Sequence, residues 1–145
     1  MGIVSDAQRR QIRELFDSHL RDPVEVLFFY VDPHDPHTAA MREILDALVG
    51  ASGGRIRVRA RGGREGQAEA AGYRVEQAPA LVLLDGEGGD TRVRFYGATV
   101  GYEFMVFLED LIDVSRGGTR LSEAARRAVR AVDQDLVIQV FTTPT

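Results

Sequence analysis

The run Val24-Glu25-Val26-Leu27-Phe28-Phe29-Tyr30-Val31 limits the folds open to this chain more than any other stretch. It is almost wholly apolar and rich in β-branched and aromatic side chains, which reads as a strand buried on both faces. Such a strand needs other elements above and below it. Asp32-Pro33-His34-Asp35-Pro36 follows directly, with Asp35 a good N-cap and Pro36 suited to the first helical position. Met41, Ile44, Leu45, Leu48 and Val49 then recur at helical spacing until Gly50. The chain thus turns from a central strand straight into a helix, and sets Asp and His where a helix N-terminus favours negative charge.

The remaining segments supply the layers. Ser5 or Asp6 can cap a first helix with Ile12, Leu15, Phe16, His19 and Leu20 on one face, stopped by Asp22-Pro23, and His19 is expected to pack there. From Arg55 to Arg61 the sequence alternates strictly, so Ile56, Val58 and Ala60 point inward and four arginines point outward, as on an edge strand with one wet face. A solvated edge is the simpler reading of that comb, and contact with phosphates or an acidic partner the other. Arg64 to Ala71 reads as a short helix ended by Gly72. The chain then runs through Pro79 into an apolar strand ending at Leu84, turns at Asp85 to Asp90, and pairs back over Thr91 to Tyr96. Phe104, Phe107, Leu108, Leu111 and Ile112 mark another amphipathic helix. Past Gly117-Gly118, Ser122 caps a helix presenting Leu121, Ala125, Ala128, Val129 and Val132, and Leu136-Val137-Ile138-Gln139-Val140-Phe141 reads as a last strand. Its apolar character predicts that it is covered, by this chain's own sheet or by another chain.

Composition narrows the chemistry. The chain has no cysteine, which excludes disulfides, thiol nucleophiles and thiolate metal ligation. All 18 of its Lys-plus-Arg residues are Arg, so a lysine Schiff base and a P-loop lysine are excluded as well. A net charge of −4 argues against general nucleic-acid binding. No apolar run approaches the roughly 18 residues of a membrane helix. The opening Met1-Gly2-Ile3-Val4-Ser5-Asp6 lacks the pattern of a signal peptide, so a cytoplasmic location is expected.

Two parallel strands joined by a helix, then a hairpin and a closing helix, are the element order of the thioredoxin and glutaredoxin fold. Several stretches also resemble the glutaredoxin-like protein disulfide oxidoreductases: Gln77-Ala78-Pro79-Ala80, Arg94-Phe95-Tyr96-Gly97, Gly101-Tyr102-Glu103-Phe104, the run from Phe107 to Arg116, and Val140-Phe141-Thr142-Thr143-Pro144-Thr145. More distantly the chain is similar to the N-terminal domain of the flavoprotein subunit of alkyl hydroperoxide reductase. The resemblance implies an α/β, thioredoxin/glutaredoxin-like fold, a mixed four-stranded sheet flanked by helices, with an extra N-terminal helix and a C-terminal helix-strand extension. It divides the chain into a thioredoxin-like domain, 1–116, and an extension, 117–145, like the start of a second such unit. It also matches Pro79 to the cis-proline opposite the family's active site, where backbone pairs with an extended substrate peptide. Where active members carry Cys-x-x-Cys, this chain has Asp35-Pro36-His37-Thr38. The family's second Cys-x-x-Cys follows a segment like Phe141 to Thr145, where the sequence stops.

The leading expectation is a redox-inactive binding or scaffold module, without catalytic residues or cofactor, that meets a protein partner through Pro79, Ala78, Asp35 and His37. The second is a fragment or split half of a thiol-disulfide oxidoreductase whose active Cys-x-x-Cys lies in a missing second unit. The third is a metal site at Asp32, His34, Asp35 and His37. Their spacing matches no standard motif, and a solvated loop is the preferred reading. The Leu136 to Phe141 strand offers a further expectation, pairing between two copies to give a homodimer that mimics the two-unit parent. Neither nucleic acid nor membrane is expected as a partner.

Overall fold

The apolar run becomes β1 (Val24–Phe29), which has a strand on either side of it. The computed structural model describes residues 2–142. Around β1 stand α1 (Asp6–His19), α2 (Pro36–Ala51), β2 (Ile56–Arg61), α3 (Gly63–Gly72), β3 (Ala80–Leu84), β4 (Asp90–Tyr96), α4 (Tyr102–Arg116) and α5 (Glu123–Arg130). The sheet order is β2-β1-β3-β4. β1 runs parallel to β2 and antiparallel to β3, and β3 runs antiparallel to β4. A parallel pair needs a crossover, which α2 supplies, whereas β3 and β4 need only a turn.

Two apolar clusters explain why β1 and β3 are apolar on both faces. In the larger one, Phe16 of α1, Met41 and Leu48 of α2 and Phe107 and Leu111 of α4 gather with Val26, Phe28, Leu81 and Leu83 of the sheet. The smaller joins Leu27, Phe29, Val82 and Leu84 to Ala70 of α3 and Val75 just beyond it. Local signals place the elements. Ser5 caps α1 in a reciprocal box, its Oγ accepting from the Gln8 N–H at 3.3 Å while Gln8 Oε1 accepts from the Ser5 N–H at 2.8 Å. Buried Ser115 ties α4 to the entry of β1, its hydroxyl donating to the Asp22 carbonyl at 2.6 Å and accepting from the Arg21 N–H at 2.8 Å. Two backbone groups next to the core are satisfied in this way.

Four expectations are corrected. His19 is exposed and does not pack; its Nδ1 lies 3.0 Å from the Leu15 carbonyl. The arginine comb is not a free wet face, because α3 lies beside it. Arg61 Nε donates to Glu69 Oε2 at 3.0 Å, and Arg55 Nη2 bonds Asp17 at 2.8 Å. Arg59 Nε is 2.8 Å from Glu25 Oε1, a contact of opposite charges without an aligned hydrogen bond. Carboxylates therefore match Arg55, Arg59 and Arg61. Ala60, expected to face inward, is exposed.

The last correction concerns 136–141, which forms no strand. Leu136, Val137, Ile138, Val140 and Phe141 are 62–89% exposed, and α5 buries no residue. Strand conformation is held by a ladder, and neither outer strand of the sheet takes these residues as a neighbour. Thr143, Pro144 and Thr145 of the terminal motif lie outside the described residues. Among the described residues, no helix is long and apolar enough to cross a membrane.

Candidate functional site

Asp35 and Pro36 begin α2 as their residue types dictate. Asp35 is extended (φ −57°, ψ 133°) and its Oδ2 accepts the Thr38 N–H at 2.8 Å, while its carbonyl accepts from the Ala39 N–H at 2.9 Å. The Thr38 hydrogen bond, ahead of the nearby His37 charge, holds the Asp35 carboxyl below the usual carboxylate range. Asp32 Oδ1 accepts the His34 N–H at 2.8 Å, and the Asp35 N–H reaches the Asp32 carbonyl at 3.3 Å. The turn is closed by its own carboxylates. Asp32, His34, Asp35 and His37 are not gathered around a common point: among the described residues, no group of three or more His, Cys, Asp or Glu is placed to hold a metal ion.

The start of α2 shares a cleft with the loop before β3. The Ala78–Pro79 peptide bond is cis, and the Pro79 carbonyl accepts the Gly97 N–H at 2.8 Å, continuing the β3–β4 ladder by one step. His37, Gln77, Ala78, Pro79, Tyr96 and Val100 line a cleft of about 490 Å³. Among the four residues expected to bind, the structure brings His37, Ala78 and Pro79 together, whereas the Asp35 carboxylate is committed to its own helix. Ala78 is exposed, and among the described residues its N–H and C=O make no hydrogen bond.

Tyr96 and Val100, 44% and 51% exposed, add apolar surface at the cleft and were not foreseen as site residues. The available signal was Gly97, which ends β4 at a φ of 78° and turns the chain along the cleft wall. Chemically, the arrangement offers unpaired backbone groups, apolar side chains and one imidazole. It contains no Ser, Cys or Lys nucleophile among its lining residues.

No protein-family model and no curated protein matches the chain. Solved structures do. The NTD_N/C domain of alkylhydroperoxide reductase AhpF from Enterococcus faecalis (V583) superposes with a TM-score of 0.76 at 21% identity, over 90% of this chain and 61% of that one. A protein disulfide oxidoreductase from Aeropyrum pernix K1 gives 0.74 at 20% identity, over 88% of this chain and 55% of that one. A thioredoxin from Thermus thermophilus gives 0.50 at 24% identity, over 67% of this chain and 80% of that one. The chain therefore spans 61% and 55% of the first two. With a cis proline facing the start of α2 across one cleft, the chain has a thioredoxin-type fold resembling those of AhpF and of protein disulfide oxidoreductases, and it has that fold without a cysteine.

Proposed function

We propose that the chain is a thiol-free thioredoxin-fold module that binds an extended segment of a protein partner in the cleft beside Pro79. The observation that carries this reading is the free N–H and C=O of Ala78 at the edge of an apolar cleft. Extended peptides dock by giving main-chain hydrogen bonds to such a backbone and side chains to adjacent pockets. Tyr96, Val100 and the Pro79 ring supply that second component. A carboxylate already bonded to its helix and a single imidazole supply no electron-transfer chemistry, so recognition is the capacity the cleft retains.

Selection from a random peptide library tests this. Selected peptides will shift the amide resonances of Ala78, Gly97 and Val100, and Val100→Glu, which places a charge on exposed apolar surface, will weaken binding by about tenfold without altering the fold. Failure to select any peptide, or shifts confined to another face, would overturn the reading.

A second reading is favoured by the uncovered apolar arm at 136–141 and the bare apolar face of α5. In that reading the chain is one unit of a two-unit assembly, and the arm seats against a second thioredoxin-type unit. That unit is either a second copy of this chain or a Cys-bearing unit encoded beside it. Light scattering will then show a concentration-dependent dimer that Val137→Glu/Ile138→Glu dissociates, or the adjoining nucleotide sequence will encode a Cys-x-x-Cys. A strict monomer with unrelated adjoining sequence would rule it out.

A further inference from the structure

Two non-glycine residues have positive φ, Arg74 at 57° and Arg92 at 67°, and both line the same cleft. Each occupies a position where glycine is the favoured residue. Arg74 follows the C-cap of α3, where the Val75 N–H returns to the Ala70 carbonyl at 2.9 Å to close the helix end. Arg92 lies in β4 where the register with β3 shifts between Val82 and Leu84. A side chain in the left-handed region costs stability, and the sequence accepts that cost twice with the same residue type.

The rest of the cleft explains what the two side chains have in common. Arg94 is fixed: its Nη1 and Nη2 grip Asp90 Oδ1 and Oδ2, each at 2.8 Å, and Nη2 also donates to the Tyr73 carbonyl at 3.0 Å. That bidentate bond from Arg94 is the main reason the Asp90 carboxyl titrates at about 2. The carboxylate is thus taken up by Arg94 and by the Arg92 N–H, bonded at 2.8 Å. Arg74 and Arg92 are exposed, and among the described residues their guanidinium groups make no hydrogen bond or ion pair. With Gly72 and Tyr73, these residues line about 480 Å³, within the range of small-molecule sites. The cleft shares no residue with the one beside Pro79.

We propose that this cleft binds a small phosphate-bearing molecule, with Arg74 and Arg92 holding the phosphate beside an Arg94 fixed by Asp90. Planar guanidinium forks match phosphate oxygens two at a time, and the cleft is lined by three arginines and a single carboxylate, in a chain whose overall charge is −4. A local positive site on an acidic molecule selects by geometry, not by bulk attraction.

Titration of the full chain with inorganic phosphate, followed by amide resonances, tests the proposal. Saturable shifts are expected at Tyr73, Arg74 and Arg92. Arg74→Gly/Arg92→Gly will lower the affinity about tenfold or more while its melting temperature stays level or rises, because glycine relieves both backbone positions. Arg57→Ala, which removes an exposed arginine from β2, will leave binding intact. No saturable binding, an equal loss in the Arg57 variant, or co-sedimentation with phosphatidylglycerol vesicles without binding of free phosphate would each overturn it.

Discussion

The double variant Asp35→Cys/Thr38→Cys will form an internal disulfide and reduce insulin in the presence of dithiothreitol, where the natural chain stays at the uncatalysed rate. Asp35 is already an anion at the helix N-terminus, held by the Thr38 N–H at 2.8 Å. A thiolate at that position inherits the same amide hydrogens and positive helix end. Its pKa will therefore fall about one unit or more below the free-thiol value of about 8.5. Residues three apart at the start of a helix have Cβ atoms about 5–6 Å apart. A disulfide needs about 3.5–4.5 Å, a difference that a small turn of the N-cap torsions can close. Thr38 is buried, so the second sulfur will be shielded while the first is accessible at the half-buried cap. The free Ala78 backbone lies beside His37 in the same cleft, and the peptide binding proposed above would bring the insulin chain there. Thiol titration of the purified variant and the insulin turbidity assay decide the matter. Two free thiols after air oxidation, with insulin reduced only at background, would mean that the turn is not shaped as a dithiol site.

The backbone of this fold was legible because most of its signals are local. Asp35-Pro36 before helically spaced apolar residues, Ser5 with Gln8 three positions on, and the turn at Asp85 to Asp90 each fix an element boundary from neighbours in sequence. The features that were misread depend on neighbours far along the chain. The arginines of β2 alternate as an edge strand should, but nothing near them reveals that Glu69 of α3 and Glu25 of β1 will reach them. The apolar run 136–141 has the composition of a buried strand, and composition says only that a cover would be favourable, not that this chain provides one.

The candidate site divides along the same line. Asp35, His37, Ala78 and Pro79 were found through their likeness to a family motif, and three of them do share a cleft. Tyr96 and Val100 reach that cleft because β4 is paired to β3 and ends at Gly97, a consequence of sheet register. The arginine cleft was harder still to see. Arg74 follows Gly72-Tyr73 where a glycine C-cap would be the ordinary choice, yet an arginine after a helix looks unremarkable until its φ is known. Its companions Arg92 and Arg94 lie on a strand that joins it only in the folded chain.

Phe107→Ala will lower the stability of the chain by about 3–5 kcal/mol, read as a fall in the urea midpoint at constant slope. Phe107 is fully buried where α4 meets the sheet, and its ring stands 5.1 Å from that of Phe95 at an interplanar angle of 65°. Truncation removes buried apolar area, opens a cavity that a packed helix cannot fully close, and breaks the edge-to-face pair. A typical domain has only about 5–15 kcal/mol in hand, so the variant will lie near the limit of folding at physiological temperature. Phe107→Leu retains most of the volume and will cost less. The control is Met105→Ala on the same helix: Met105 is 53% exposed, and its loss will stay within about 0.5 kcal/mol. Equal midpoints for the two alanine variants would mean that α4 does not cover the sheet through Phe107. The Gly97 to Gly101 link, which brings Gly97, Ala98 and Val100 to the cleft beside Pro79 and leads directly into α4, would then lose its support.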